Sequence, residues 1–338
     1  MEISVVIPTY NRLAQLRRVV AGLEHQSYPL ERFEVVIVSD GSEDGTDEYL
    51  VTLITPLQIQ VVRQPNSGAA AARNNGVHQA RGKLVLFIDD DVVPAPTLLA
   101  EHLRSHEEAG PRTVVIGPLV TPADFAMQDW VRWEQDRLEE QYQDMVAGRW
   151  EPTARQFYTG NASLRRSDIL AAGGFDPHFR RAEDVEFGYR LADAGFRFVF
   201  NPAAIGYHYA ERTFGSWLKT PYAYGRNDVI FTRDRGQHWL LPLVEREFHN
   251  RNALVRGLVH LCLNRQRSGT LVVMVLQSLA LLCVRIGCSR GASAAFGALF
   301  NLRYYQGAAD ELALRGDHLY LASTRKPAAG TPKQHNRI

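Results

Sequence analysis

Residues 84–94 read LVLFIDDDVVP, an apolar run that ends abruptly in Asp89, Asp90 and Asp91. A short unbroken apolar run is the pattern of a strand covered on both faces. Three adjacent carboxylates at its tip repel one another and lose hydration near a core. A divalent cation carrying a substrate with negative charge of its own would answer that charge. The simpler alternative is a solvated acidic loop.

The residues before this stretch alternate regularly. Strands are expected at 3–10, 33–40, 59–65 and 84–90, and helices at 11–26, 44–54, 67–82 and about 95–109. Such alternation implies a parallel sheet with helices on both faces, a Rossmann-like half whose ligands bind at the carboxyl ends of the strands. Three of those ends carry suggestive residues: Pro8-Thr9-Tyr10-Asn11, Asp40-Gly41-Ser42 and Asp89-Asp90-Asp91. In an extended run alternate residues share a face, so Asp89 and Asp91 would look into the crevice while Asp90 points elsewhere and tolerates replacement best.

After about Thr113 the alternation loosens. A strand is expected at 112–120, a helix at 128–145, a strand or loop leading into a short helix at 157–170, a helix at 182–196 and two short strands at 196–209. The expected organisation is an α/β catalytic domain over 1–230, split near 112 into a nucleotide-binding half and an acceptor-side half. A helical region over 231–322 and a disordered tail over 323–338 follow.

The 338 residues carry a net charge of +1, which gives no reason to expect nucleic acid as a partner. Three cysteines, Cys262, Cys283 and Cys288, suit neither a zinc site nor a disulfide framework, which favours a reducing compartment. The chain enters strand-like sequence at Ile3, leaving no room for a signal peptide. Residues 268–284 contain no charge, 291–302 form a second uncharged segment, and Arg265, Arg267, Arg285, Arg290 and Arg303 flank them. This pattern fits either a buried helical pair or a hairpin making peripheral contact with the cytoplasmic face of a membrane, where arginines meet anionic lipid.

The segments VVIPTYNR (5–12), VVIVSDGSEDGT (35–46), GAAAARNNG (68–76), LFIDDDVVP (86–94) and GGFDPHFRRAEDVEFGYRLADAG (173–195) together resemble the successive motifs of family 2 glycosyltransferases. The resemblance covers residues 3 to about 226. It implies a GT-A fold: a mixed, Rossmann-like sheet flanked by helices, here with a partly apolar helical appendage. It also implies inverting transfer of a sugar from a nucleoside-diphosphate donor (a UDP-, dTDP- or GDP-sugar) to a hydroxyl of a glycan or lipid-linked glycan, with Mn2+ or Mg2+ as cofactor.

Carried over by position, Pro8, Thr9 and Tyr10 would lie at the base and ribose, Asp40 at the nucleobase, and Arg73 near the phosphates. Asp89 and Asp90 would line the nucleotide-sugar, Asp91 and Asp89 would hold the metal, and His208 would help bind the metal or diphosphate or be a structural histidine. Asp184 would be the general base, with Glu183 orienting it or binding an acceptor hydroxyl. Asn161 and Trp217 would lie on the acceptor side, although either could simply pack. Ala182 stands where many members have Gly. A receiver domain would need its acidic pair after the first strand, and a haloacid-dehalogenase-type phosphatase its Asp-X-Asp there, so both fail on position. A catalytically silent scaffold that keeps the fold is the remaining rival.

Overall fold

The computed structural model describes residues 1–263 and 266–317. The expected tail at 323–338 lies outside the described residues. The described residues divide into two compact units, one within 1–126 and 137–210, the other within 127–136 and from 211 onward.

The first unit begins β1 (Ile3–Thr9), α1 (Leu13–Glu24), β2 (Phe33–Asp40), α2 (Thr46–Thr52), β3 (Ile59–Gln64), α3 (Ala69–Gln79), β4 (Leu84–Ile88). It continues β5 (Val92–Pro94), α4 (Leu98–Ala109), β6 (Thr113–Ile116), β7 (Leu119–Val120), and α5 (Asp129–Val146), whose first turns group with the second unit. Then follow β8 (Asn161–Arg165), α6 (Arg166–Ala171), α7 (Glu183–Asp193), β9 (Arg197–Phe200) and β10 (Gly206–His208). The main sheet has the order β3-β2-β1-β4-β8-β6-β9, and β5, β10 and β7 form a small second sheet.

Strands β3, β2, β1 and β4 are parallel, β8 is antiparallel to both β4 and β6, and β6 pairs with β9 in parallel. The sheet is therefore mixed, as the GT-A fold requires. Strand alternation explains the double burial. Ile3, Val5 and Ile7 of β1 pack with Leu16, Val19 and Leu23 of α1, while Val6 faces α3 with Phe87 of β4 and Phe187 of α7. Helix α3 can lie this close because Gly76 has no side chain; a Cβ there would stand 2.4 Å from Val6 Cγ1. That seating fixes the height of Arg73, one turn earlier on the helix.

The expected strand at 112–120 is two pieces, β6 and β7, separated by Gly117-Pro118. Proline lacks the N–H that a continuous ladder would need.

The second unit is helical: α8 (Phe214–Asp234), α9 (Leu240–Asn250), α10 (Ala253–Cys262), α11 (Gln266–Arg285) and α12 (Ser289–Leu314). Its core joins Trp217, Phe248, Phe296, Leu299 and Tyr305. Helices α8 and α12 approach closely at two glycines, since a Cβ on Gly225 or Gly307 would lie 2.0 Å from the opposing carbonyl oxygen. Among the described residues no helix is long and apolar enough to cross a membrane.

Candidate active site

Loops after the parallel strands build the site. The loop after β1 is tied to the loop after β2: Ser42 Oγ accepts from the Asn11 amide at 3.1 Å, and Asn11 Oδ1 accepts from the Glu43 amide at 2.7 Å. Asn11 adopts φ 53°, a left-handed conformation that asparagine tolerates better than most residues. Pro8 is half-buried, Thr9 buried and Tyr10 48% exposed at this tip.

Asp40, at the end of β2, accepts from Gln64 Nε2 at 2.7 Å and from the Ser67 and Gly68 amides at 2.8 and 2.9 Å. It organises the turn leading into α3. A carboxylate has about four acceptor sites, so one remains for another donor.

Strand β4 ends at Ile88 with the apolar run, two residues short of the expected 84–90, and a turn closed by the Val92 amide on the Asp89 carbonyl follows at 3.0 Å. The turn abolishes strict alternation. Asp90 and Asp91, not Asp89 and Asp91, share a partner: Arg12 Nη1 lies 3.3 Å from Asp90 Oδ1 and 2.5 Å from Asp91 Oδ2. Asp89 turns to Arg73 instead, accepting from Nη2 at 2.7 Å. Asp90, expected to point away, is buried, and burial pushes its carboxyl up to about 7 against the pull of Arg12. Burial would raise Asp91 too, but the His208 ring and the Arg12 guanidinium outweigh it and hold Asp91 well below the usual carboxylate range.

Arg73 is buried and bridges two distant parts of the chain, donating from Nη1 to Glu183 Oε1 at 2.7 Å as well as to Asp89. Its Nε is buried without a partner among the described residues. Glu183 and Asp184 open helix α7, and Asp184 Oδ1 accepts from the Val185 amide at 2.8 Å. Asp184 is part-exposed yet densely surrounded. That environment, and next the charge of Glu183, raise its carboxyl against the pull of Arg73. Ala182, just before the pair, has φ 59° and ψ 26°, the left-handed conformation that favours glycine.

His208 ends β10, with Nε2 3.6 Å from Asp91 Oδ1. Two donors about 2.1 Å from one cation stand roughly 3–4 Å apart, so this pair fits two positions on a divalent ion. Among the described residues no three His, Cys, Asp or Glu side chains gather closely enough to hold a metal alone. The remaining positions would therefore fall to water or phosphate oxygens, as is usual for Mg2+.

Two residues lie apart from this cluster's chemistry. Asn161 is buried, donates to the Pro118 and Ala204 carbonyls at 3.0 and 2.8 Å, and receives His102 Nε2 at 2.9 Å. Trp217 is fully buried in the helical unit against Trp133, Phe214 and Phe296, so no face of its ring is open. Sequence reasoning passed over Arg12, which pairs with two of the three aspartates. Its signal was its place directly after the β1 tip.

The profile described as Glycosyl transferase family 2 matches residues 4–173, half of the chain. The chain belongs to that family. Validoxylamine A glucosyltransferase of Streptomyces hygroscopicus subsp. jinggangensis is 35% identical over 216 residues, covering 56% of this chain and 51% of that protein. The chain thus spans about half the length of that relative. Among solved structures, mannosyltransferase PcManGT from Pyrobaculum calidifontis in complex with GDP-Man and Mn2+ has a TM-score of 0.59 at 19% identity, covering 90% of this chain and 86% of that one. S. aureus TarS in complex with UDP has a TM-score of 0.53 at 18% identity, covering 94% and 92%. Both share the GT-A fold of this family 2 chain.

Proposed function

We propose that the α/β unit transfers a sugar from a nucleoside-diphosphate donor to a hydroxyl group, inverting the anomeric carbon, with Asp184 as base. The carrying observation is Arg73, whose guanidinium joins Asp89 at the end of β4 to Glu183 at the start of α7. It brings the acidic turn and the Glu183-Asp184 pair into one cluster.

In this reading Tyr10, Thr9 and Pro8 line the base and ribose, and Asp40 offers its remaining acceptor position to the base edge. Arg73 and Arg12 supply positive charge along the diphosphate. Asp91 and His208 would hold a divalent cation, which would stabilise the charge of the departing diphosphate. Asp184 takes the proton of the acceptor hydroxyl as its oxygen bonds to the anomeric carbon. The bond from that carbon to the diphosphate breaks, and its electron pair leaves with the diphosphate. A carboxyl raised by its surroundings is a stronger base than an ordinary aspartate, which suits it to this transfer. Glu183, fixed by Arg73, holds the start of α7 and with it the direction of Asp184.

The donor class is supported by UDP in TarS and by GDP-Man with Mn2+ in the mannosyltransferase. For the acceptor we favour a lipid-linked glycan met at the cytoplasmic face of a membrane, as in cell-envelope polysaccharide assembly. Thermal melts with UDP-, dTDP- and GDP-sugars, with and without Mn2+, test the donor assignment. A bound donor raises the melting temperature by mass action, and more so with Mn2+. If no nucleotide-sugar shifts it in either condition, the reading fails.

A further inference from the structure

Helix α11 has two unlike faces. Leu276, Ala280 and Cys283 are at most 9% exposed and pack into the helical unit. Leu271, Met274, Val275, Leu279, Leu282 and Ile286 are 47 to 68% exposed. These follow steps of three and four residues and so form one stripe along the helix and just past its end. At about 1.5 Å per residue the stripe runs over roughly 20 Å. An apolar surface of this extent on a soluble face marks an interaction site.

Charge identifies the occupant. Between Glu247 and Asp310 the sequence contains no Asp or Glu and no Lys, but seven arginines. Arg285 and Arg290, which flank Ile286 in the sequence, are exposed. Arg265 lies outside the described residues. Pairing this face with its copy across a two-fold axis would set Arg285 and Arg290 against a stripe that itself carries no acid. An anionic lipid surface answers both features: headgroups pair with the guanidinium groups, and the acyl boundary takes the leucines. With no membrane-crossing helix among the described residues, α11 would lie in the interface plane.

We infer that α11 docks the helical unit on an anionic phospholipid bilayer through the Leu271–Ile286 stripe and the arginines at its end. The inference rests on residues of the helical unit alone and is independent of the sugar-transfer chemistry, although it gives the favoured acceptor a place.

Flotation of the full chain with vesicles tests it directly. Vesicles of phosphatidylglycerol and phosphatidylcholine should carry the protein, and phosphatidylcholine alone should carry far less. High salt should weaken the anionic binding, because exposed charge is screened. Val275→Glu/Leu279→Glu should abolish binding without changing the melting temperature, since both side chains are exposed. Arg285→Gln/Arg290→Gln should weaken binding to the anionic vesicles about fivefold for each arginine, the equivalent of about 1 kcal/mol per charge near such a surface. Failure of the folded wild-type chain to float with anionic vesicles would overturn the inference. So would binding indifferent to these substitutions, or an oligomer that the glutamate pair dissolves. Donor-induced thermal shifts, measured without vesicles, report separately on the transfer reading.

Discussion

Arg12 Nη1 stands 2.5 Å from Asp91 Oδ2, so the carboxylate proposed to bind a cation already has a resident counter-charge. Arg12 is itself 40% exposed in its side chain, while Asp91 is nearly buried. Replacing it as Arg12→Gln leaves Asp90 and Asp91 with less to balance them. Metal-free protein should lose about 1–2 kcal/mol, toward the low end of ion-pair losses because Arg12 is half in water. Mn2+ should recover much of that loss and bind the variant more tightly than wild type. Melting curves of both proteins across a Mn2+ titration check this, and equal shifts in the two would refute the competition.

Arg73 is a different case, because it is buried and serves two carboxylates. A lysine presents a point charge and cannot span Asp89 and Glu183 with the same fork. Arg73→Lys should therefore weaken donor binding and lower turnover together, with roughly 2–4 kcal/mol of stability lost. Calorimetry with the donor and denaturant melts would detect both. Glu183→Gln, which keeps an acceptor for Arg73, should cost less than Arg73→Lys in each measurement.

Ala182 carries a left-handed backbone immediately before the Glu183-Asp184 pair. A residue with a Cβ pays about 1–2 kcal/mol there, partly offset by the entropy that glycine loses on folding. Ala182→Gly should be about 0.5 kcal/mol more stable, and Ala182→Val clearly less stable than wild type. Urea melts decide the order of the three proteins.

His102 and His106 lie on one face of α4 and meet Ser163 Oγ at 2.8 Å each. Burial pushes both rings down to about 4 from an ordinary value near 6.5. The unfolded chain binds more protons than the folded one across that window. Stability is therefore complete above about pH 6.5 and falls as pH drops toward 4, by an amount on the order of a few kcal/mol. His106→Gln, which can still donate to Ser163, should flatten roughly half of this acid slope in melts at pH 7, 6 and 5. A slope unchanged by the substitution would remove His106 from the explanation.

Periodicity carried the first half of the fold because its strands are short, apolar and covered on both faces. The places where it misled are physically specific. Alternation predicted a shared face for Asp89 and Asp91, but the ladder stops at Ile88 and a turn takes over. No pattern could signal that Arg12 meets residues nearly eighty positions away, since that contact depends on β1 and β4 being neighbours in the sheet. Asn161 opens β8 just after a motif-like turn, yet its amide is consumed by two carbonyls and a histidine. The helical unit was the least legible part, because an uncharged run reads alike whether it packs or lies against lipid. Exposure along α11 separates the two faces that composition blends.

The central claim is that Asp184 accepts the acceptor's proton, and single-turnover transfer by Asp184→Asn tests it most directly. With a donor identified by thermal shift, the variant should bind that donor as tightly as wild type. Its transfer rate should fall by about 10²–10⁴-fold, the usual contribution of a positioned general base. Transfer at the wild-type rate with donor binding intact would contradict the account.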